Sequence, residues 1–244
     1  MKLIETANYE TMSQTAAALV IQQVKSKPNT VLGLATGGTP VGMYQYLKED
    51  YEQNQTSYQN VHTVNLDEYV GLSKEDSKSY AYYMNDHLFK HIHIPLEQTF
   101  LPVEEQGDNY EELIASLGGI DLQILGIGGN GHIGFNEPGT PFTSKTGIVQ
   151  LTESTREANA RYFSSMDEVP THAISMGIST IMQSKNILLL VSGSKKAEIL
   201  YRLLTEDVDE ALPASILKTH SNVTIIADQD ALSVLKEKEG SVFQ

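Results

Sequence analysis

Asp121-Leu-Gln-Ile-Leu-Gly-Ile-Gly-Gly-Asn-Gly-His-Ile-Gly-Phe-Asn-Glu-Pro138 is the stretch that decides how this chain reads. The apolar run Ile120–Leu125 predicts a buried strand, and it empties into a glycine-rich turn. Within eight residues that turn offers an amide, an imidazole and a carboxylate: Asn130, His132 and Glu137. Loops at strand ends in α/β proteins are where ligands bind, because a rigid sheet holds them. The segment therefore implies both a sheet-based fold and an active site at its edge.

Gly126-x-Gly128-x-x-Gly131 also matches the dinucleotide fingerprint. That fingerprint works only if its last glycine opens a helix whose N-terminus meets a pyrophosphate. Pro138, Gly139 and Pro141 follow too soon, and no helical period begins before about Thr155. The loop reads as one that presents side chains, and a nicotinamide cofactor is not expected.

Working outward, strands are predicted at Lys2–Thr6, Thr30–Ala35, Val61–Leu66, Ile120–Leu125, Asn186–Val191 and Val223–Ala227. Helices are predicted at Asn8–Lys25, from Val41, at Ser79–Lys90, Asn109–Leu117, Thr155–Ser164, Thr171–Gln183 and Ser194–Leu204, with a short one from Gln229. This alternation implies an α/β fold, a mostly parallel, Rossmann-like central sheet with helices on both faces. One domain over residues 1–244 is expected, with a small helical lid at about 142–185. No internal repeat or linker interrupts it.

A chain of 244 residues with 40% hydrophobic content has enough apolar surface for one large core. No apolar segment reaches the roughly 18 residues needed to span a bilayer. The start, Met1-Lys-Leu-Ile-Glu-Thr6, turns polar too early for a secretory signal, so a cytoplasmic protein is expected. The absence of cysteine excludes disulfides, thiolate metal sites and a cysteine nucleophile. A net charge of −14 argues against nucleic acid as a partner. It would also repel phosphorylated small molecules at long range, so such a ligand needs a few local cations and backbone amides.

Four strand exits carry candidate chemistry, and in a parallel sheet they share one edge. Thr36-Gly37-Gly38-Thr39-Pro40 joins a strand to a helix. It reads either as an anion cradle of backbone N–H groups or as a tight turn with Thr39 capping the helix. Asp67 ends a strand, with Glu68 directly after it; adjacent extended residues point opposite ways, so only one should face a pocket. Asp67 is either a proton acceptor there or a turn-capping acid. His132 reads as a general base, a ligand or a structural histidine, and Glu137 as the carboxylate that orients it. Two cations complete the inventory: Lys196 follows Val191-Ser-Gly193 at the start of a helix, and Arg161 lies on the helix after Thr155, although most such residues are simply solvated. His91-x-His93 lacks a clear third ligand and reads as ordinary strand or loop, so no metal site is expected.

Four segments together resemble the glucosamine-6-phosphate deaminase family, the glucosamine/galactosamine-6-phosphate isomerases. They are Leu32-Gly-Leu-Ala-Thr-Gly-Gly-Thr-Pro40, Asn65-Leu-Asp-Glu-Tyr-Val-Gly-Leu72, the Gly-Asn-Gly-His-Ile-Gly-Phe-Asn-Glu-Pro138 loop and Gly193-Ser-Lys-Lys-Ala197. The resemblance implies conversion of glucosamine 6-phosphate to fructose 6-phosphate and ammonia, without a cofactor. It implies that Asp67 moves a proton between C2 and C1, and that His132, with Glu137 and Asn130, opens the pyranose. It further implies that Gly37, Gly38 and Thr39 hold the phosphate with Arg161 and Lys196.

Some members of that family carry aspartate where Asn130 stands, and Asn130 cannot carry negative charge. Allosteric members place basic residues where this chain has Gly147 and Val149, so allosteric activation is not expected, and a monomer or small homo-oligomer is. The competing expectations are a 6-phosphogluconolactonase, which shares the fold but has no need of Asp67, and a non-catalytic sugar-phosphate sensor domain.

Overall fold

The computed structural model describes residues 1–103 and 109–240. A seven-stranded, all-parallel sheet forms the centre, in the spatial order β1 (Lys2–Thr6), β10 (Val223–Asp228), β9 (Ile187–Val191), β6 (Leu122–Leu125), β2 (Val31–Leu34), β3 (His62–Asn65) and β5 (Thr99–Phe100). The chain runs outward from β2 through β3 to β5, then returns to start again at β6 and runs the other way through β9 to β10. The reversal lies between β2 and β6, which is where open α/β sheets bind their ligands.

Because the central strands are covered on both faces, their side chains are mostly apolar, with Thr63, Asn65 and Gln123 as buried polar exceptions. Residues of β9 divide by parity: Ile187, Leu189 and Val191 join one core, Leu188 and Leu190 the other. On the first face lie α5 (Asn109–Ser116), α7 (Ile178–Met182), α8 (Ala197–Thr205) and α9 (Ser233–Glu239). The opposite face is covered by α1 (Tyr9–Ser26), α2 (Val41–Asn54) and the segment from α3 (Tyr80–Met84) through a π-helical turn, Asn85–Phe89, to α4 (Lys90–Ile92). A capping box starts α1, with Asn8 accepting from the Thr11 N–H and Thr11 returning the bond to the Asn8 N–H.

A second, antiparallel sheet stands at the carboxyl end of the first, in the order β4 (Asp67–Tyr69), β8 (His172–Ser175) and β7 (Gly147–Gln150). The remaining helix, α6 (Glu153–Asn159), continues as a 3-10 turn, Ala160–Tyr162. A small aromatic core of Tyr69 and Phe135, with Tyr80 and Phe163 packed on it, fills the space between these pieces.

The expected helix at Thr171–Gln183 is corrected here: its first half is β8, and only Ile178–Met182 is helical. Pairing with β4 on one side and β7 on the other outweighs a helical spacing of apolar residues. Residues 142–185, expected as a helical lid, are accordingly mixed, with two strands beside α6 and α7. Asp67, expected at the end of the strand from Val61, instead opens a separate strand, β4. The helix expected to run to Ser164 ends at Asn159, and His91–His93 closes a helical turn, with His93 left-handed at φ 50°.

Candidate active site

The exits of β2, β3, β6 and β9, neighbouring strands of one sheet, open onto a cleft of about 470 Å³. Gly37, Gly38, Thr39, Asp67, Asn130, His132, Arg161 and Lys196 all line it. Glu137 stands one layer back, behind His132.

Asp67 is 7% exposed. Its carboxyl is pushed up to about 8, first by burial and then by the neighbouring charge of Glu68. The two acids do part as strand alternation requires. Glu68 turns away and accepts the N–H groups of Tyr69, Tyr80 and Ala81 at 2.8–2.9 Å, closing the start of α3. Burial raises the Glu68 carboxyl, while those three bonds pull it down.

The loop after β6 holds His132 by its backbone. Gly128 accepts from Gly131 N–H at 3.0 Å and donates to the His132 carbonyl at 2.9 Å, and the imidazole lies flat against Gly128. A Cβ at Gly128 would come within 2.3 Å of that ring, so only glycine fits. Asn136 ties the far side of the loop to the carbonyls of Ile133 and Met176. Asn130 makes two bonds at once: its Oδ1 accepts the His132 N–H at 3.2 Å and its Nδ2 donates to Glu137 Oε2 at 2.6 Å.

Glu137 Oε2 lies 3.6 Å from His132 Nδ1, within ion-pair range but longer than a hydrogen bond, and Nδ1 is buried with no closer partner. Nε2 is thus the nitrogen left for a ligand. Burial raises the Glu137 carboxyl, but His132, Thr155 and Asn130 outweigh it and hold the group down at about 2. Asp67 in the cleft and Glu137 behind it are displaced in opposite directions, one toward a proton acceptor and one toward a fixed negative charge.

The anion end consists of backbone and two cations. Pro40 precedes α2 with no side-chain cap, so Thr39 does not cap the helix; among the described residues its hydroxyl and the N–H groups of Gly38 and Thr39 meet no protein acceptor, which suits an anion. Lys196 ends the 3-10 turn Ser194–Lys196, and its ammonium is lowered by burial and then by the charge of Arg161. Arg161 sits on the Ala160–Tyr162 turn with its guanidinium 4.8 Å from the centre of the Tyr162 ring.

Sequence reasoning missed Thr152, Thr155 and Tyr80. Thr152 donates to Glu137 at 3.2 Å and caps α6, and Thr155 donates to the same carboxylate oxygen. The Thr152-x-x-Thr155 spacing was the available signal, a capping pattern three residues before the helix expected at Thr155. Tyr80 lines the cleft from the start of α3, and nothing in its local sequence marks it. Among the described residues no group of three or more His, Cys, Asp or Glu is placed to hold a metal ion.

The profile of the family described as "Glucosamine-6-phosphate isomerases/6-phosphogluconolactonase" matches residues 5–226. The chain is 60% identical over 249 residues to a glucosamine-6-phosphate deaminase of Geobacillus sp. (strain WCH70), covering 100% of this chain and 99% of that protein. It is 51% identical to glucosamine-6-phosphate deaminase 1 of Bacillus subtilis (strain 168), with 96% and 99% covered. A solved structure of a monomeric glucosamine-6-phosphate deaminase superposes with a TM-score of 0.94 at 51% identity, over 96% of this chain and 100% of the other. The 6-phosphogluconolactonase of Trypanosoma brucei superposes at 0.76 with 17% identity, over 96% and 98%, a likeness of fold alone.

Proposed function

The chain belongs to the glucosamine-6-phosphate isomerase/6-phosphogluconolactonase family, and from that membership we propose that it converts glucosamine 6-phosphate and water to fructose 6-phosphate and ammonia. The observation that carries this reading is the buried carboxylate of Asp67 in the same cleft as His132 and the Gly37–Thr39 turn. Lactone hydrolysis has no need of a base at that place; moving a proton between two sugar carbons does.

The phosphate binds the Gly37, Gly38 and Thr39 turn with Lys196 and Arg161, which fixes the sugar at reacting distance. His132 Nε2 takes the anomeric hydroxyl proton as the ring C1–O5 bond breaks and O5 is protonated. Glu137 stabilises the imidazolium, and Asn130 holds the two in place. Asp67 then removes the C2 proton from the open-chain aldose as the C1 carbonyl oxygen takes up a proton from the C2 ammonium, and delivers the C2 proton to C1 of the resulting enolamine. That leaves an iminium at C2; water adds there and the C–N bond breaks to release ammonia and the ketose. Each positioned proton transfer is typically worth about 10²–10⁴-fold.

The enzyme so described is a hydrolase in its last step and needs no cofactor. The similar solved structure of a monomeric deaminase supports a monomer, and the cysteine-free composition fits a cytoplasmic location. Gly147 and Val149, in place of basic residues, support an enzyme without allosteric activation.

The test is ammonia release across glucosamine 6-phosphate, galactosamine 6-phosphate and 6-phosphogluconolactone, with and without N-acetylglucosamine 6-phosphate. Ammonia from an amino sugar, hyperbolic kinetics and no effect of the acetylated sugar are expected. Lactone hydrolysis without ammonia release would overturn the assignment, and a sigmoidal curve made hyperbolic by the acetylated sugar would overturn the absence of activation.

A further inference from the structure

The turn after β2 is tied from behind by tyrosine hydroxyls. Tyr44 donates to the Ala35 carbonyl at 2.5 Å, Tyr83 to the Gly37 carbonyl at 2.6 Å and Tyr9 to the Gly38 carbonyl at 3.0 Å. The three come from three different helices, α2, α3 and α1. Tyr9 is 37% exposed, and its hydroxyl also accepts the Gly42 N–H at 2.8 Å.

In a planar trans peptide the carbonyl and the N–H of the same unit point in opposite directions. Holding the Gly37 and Gly38 carbonyls against the helices therefore turns the N–H groups of Gly38 and Thr39 the other way, toward the cleft that both residues line. Among the described residues, neither N–H donates to a protein acceptor. Gly37 stands at φ +86°, with no Cβ to resist rotation of its peptide planes. Something outside the glycines must fix them.

We propose that Tyr83 and Tyr9 are positioning residues for phosphate recognition: their hydroxyls lock the two peptide planes whose N–H groups bind the phosphoryl oxygens of the substrate. Tyr44, fully buried and bonded to Ala35 one residue before the turn, is the structural tie on which the other two build. The proposal rests on the phosphate assignment made above and adds what keeps that cradle in shape before the ligand arrives. Donors already aimed at the anion bind without the ordering cost that a loose diglycine would carry.

The experiment uses Tyr83→Phe, Tyr9→Phe and the double variant. Tyr46→Phe is the control, since among the described residues its hydroxyl meets only Glu10, at 3.3 Å, on the outside of the same helices. Binding of inorganic phosphate is measured by calorimetric titration, and turnover by ammonia release. Each single variant is expected to weaken phosphate about three- to tenfold, as loss of alignment in a charge-assisted hydrogen bond would. KM should rise by the same factor with kcat within about twofold, because the phosphate grip is shared by ground and transition states.

The control should match the wild type in both measurements. Phosphate affinity and KM within twofold of wild type in both single variants would overturn the proposal, as would a fall in kcat at unchanged KM. If Tyr83→Phe fails to fold, Tyr9→Phe, whose side chain lies at the surface, decides. A wild type that binds phosphate but releases no ammonia removes the deaminase reading alone, and the titrations still decide the tyrosines. A wild type that binds no phosphate overturns the cradle and this proposal together.

Discussion

Asp67 and Glu137 show how one chain makes two carboxyl groups behave differently. Asp67 has little besides burial and a like charge around it, so its neutral form is favoured up to about pH 8. A folded-state value raised from 3.8 means the folded protein binds the extra proton, and stability falls as pH rises through that window. Each unit of displacement is about 1.4 kcal/mol, so the cost near pH 8 is on the order of a few kcal/mol. Asp67→Asn should therefore melt higher than wild type at pH 8, with the gap closing toward pH 4, while ammonia release is lost and phosphate still binds. Equal melting temperatures across that range would contradict the burial argument; retained turnover would assign the base elsewhere. Glu137 has the opposite sign. Its contribution is present above its ordinary 4.5 and is lost as pH falls toward about 2. Glu137→Gln should cost roughly 3 kcal/mol at pH 7 in denaturant titrations and progressively less toward pH 2. At this scale the sequence was largely readable. Strand alternation separated Asp67 from Glu68, and the glycine loop singled out His132. Thr152 and Thr155 were not readable as partners of Glu137, because their approach to it depends on where α6 docks.

The loop after β6 works as an element because three of its glycines do different jobs. Gly128 makes room for the imidazole, Gly131 takes φ +92° beside Leu212, and Gly134 at φ +57° passes close to Ser175 and Asp67. Gly128→Ala is expected to push the His132 ring aside by about an ångström. A displacement of that size costs on the order of 10²-fold in kcat. Phosphate affinity should stay within about twofold, since the anion turn is a separate piece of chain. A fall in phosphate binding equal to the fall in kcat would mean the loop had unfolded rather than shifted. Six of the seven strands of the central sheet were legible, the clearest where burial on both faces makes a continuous apolar run, as at Ile187–Val191; β5, two residues long, was not. Nor was the small sheet. Asp67–Tyr69 is three residues long, and β7 has only Ile148 and Val149 between a glycine and a glutamine, so each becomes a strand only when β8 lies between them. The helical spacing at Thr171–Gln183 misled for the same reason, since pairing partners distant in sequence leave no local mark.

For the whole molecule, the fold class was legible from alternation alone, and the site's position followed from it, because parallel strands collect their exits on one edge. Strand order was not: nothing local says that β1 pairs with β10, more than 200 residues later. The large exposed apolar residues, such as Leu96, Ile148, Tyr162 and Val208, fall singly on separate stretches of chain. Together with a net charge of −14 this argues against self-association. Light scattering at tens of micromolar should give the mass of one chain, and a concentration-dependent mass would refute it.

At Leu66 the backbone leaves one sheet and enters another. Its N–H reaches back to the Leu34 carbonyl at 3.2 Å, and its own carbonyl receives the Met176 N–H at 2.6 Å. This splice keeps the count of residues between two frames. Dropping or adding a single residue there would swap which of the two adjacent acids looks inward, leaving a folded protein with the longer side chain in the reactive seat. Variants with altered length between positions 62 and 69 should thus be soluble, intact and inert.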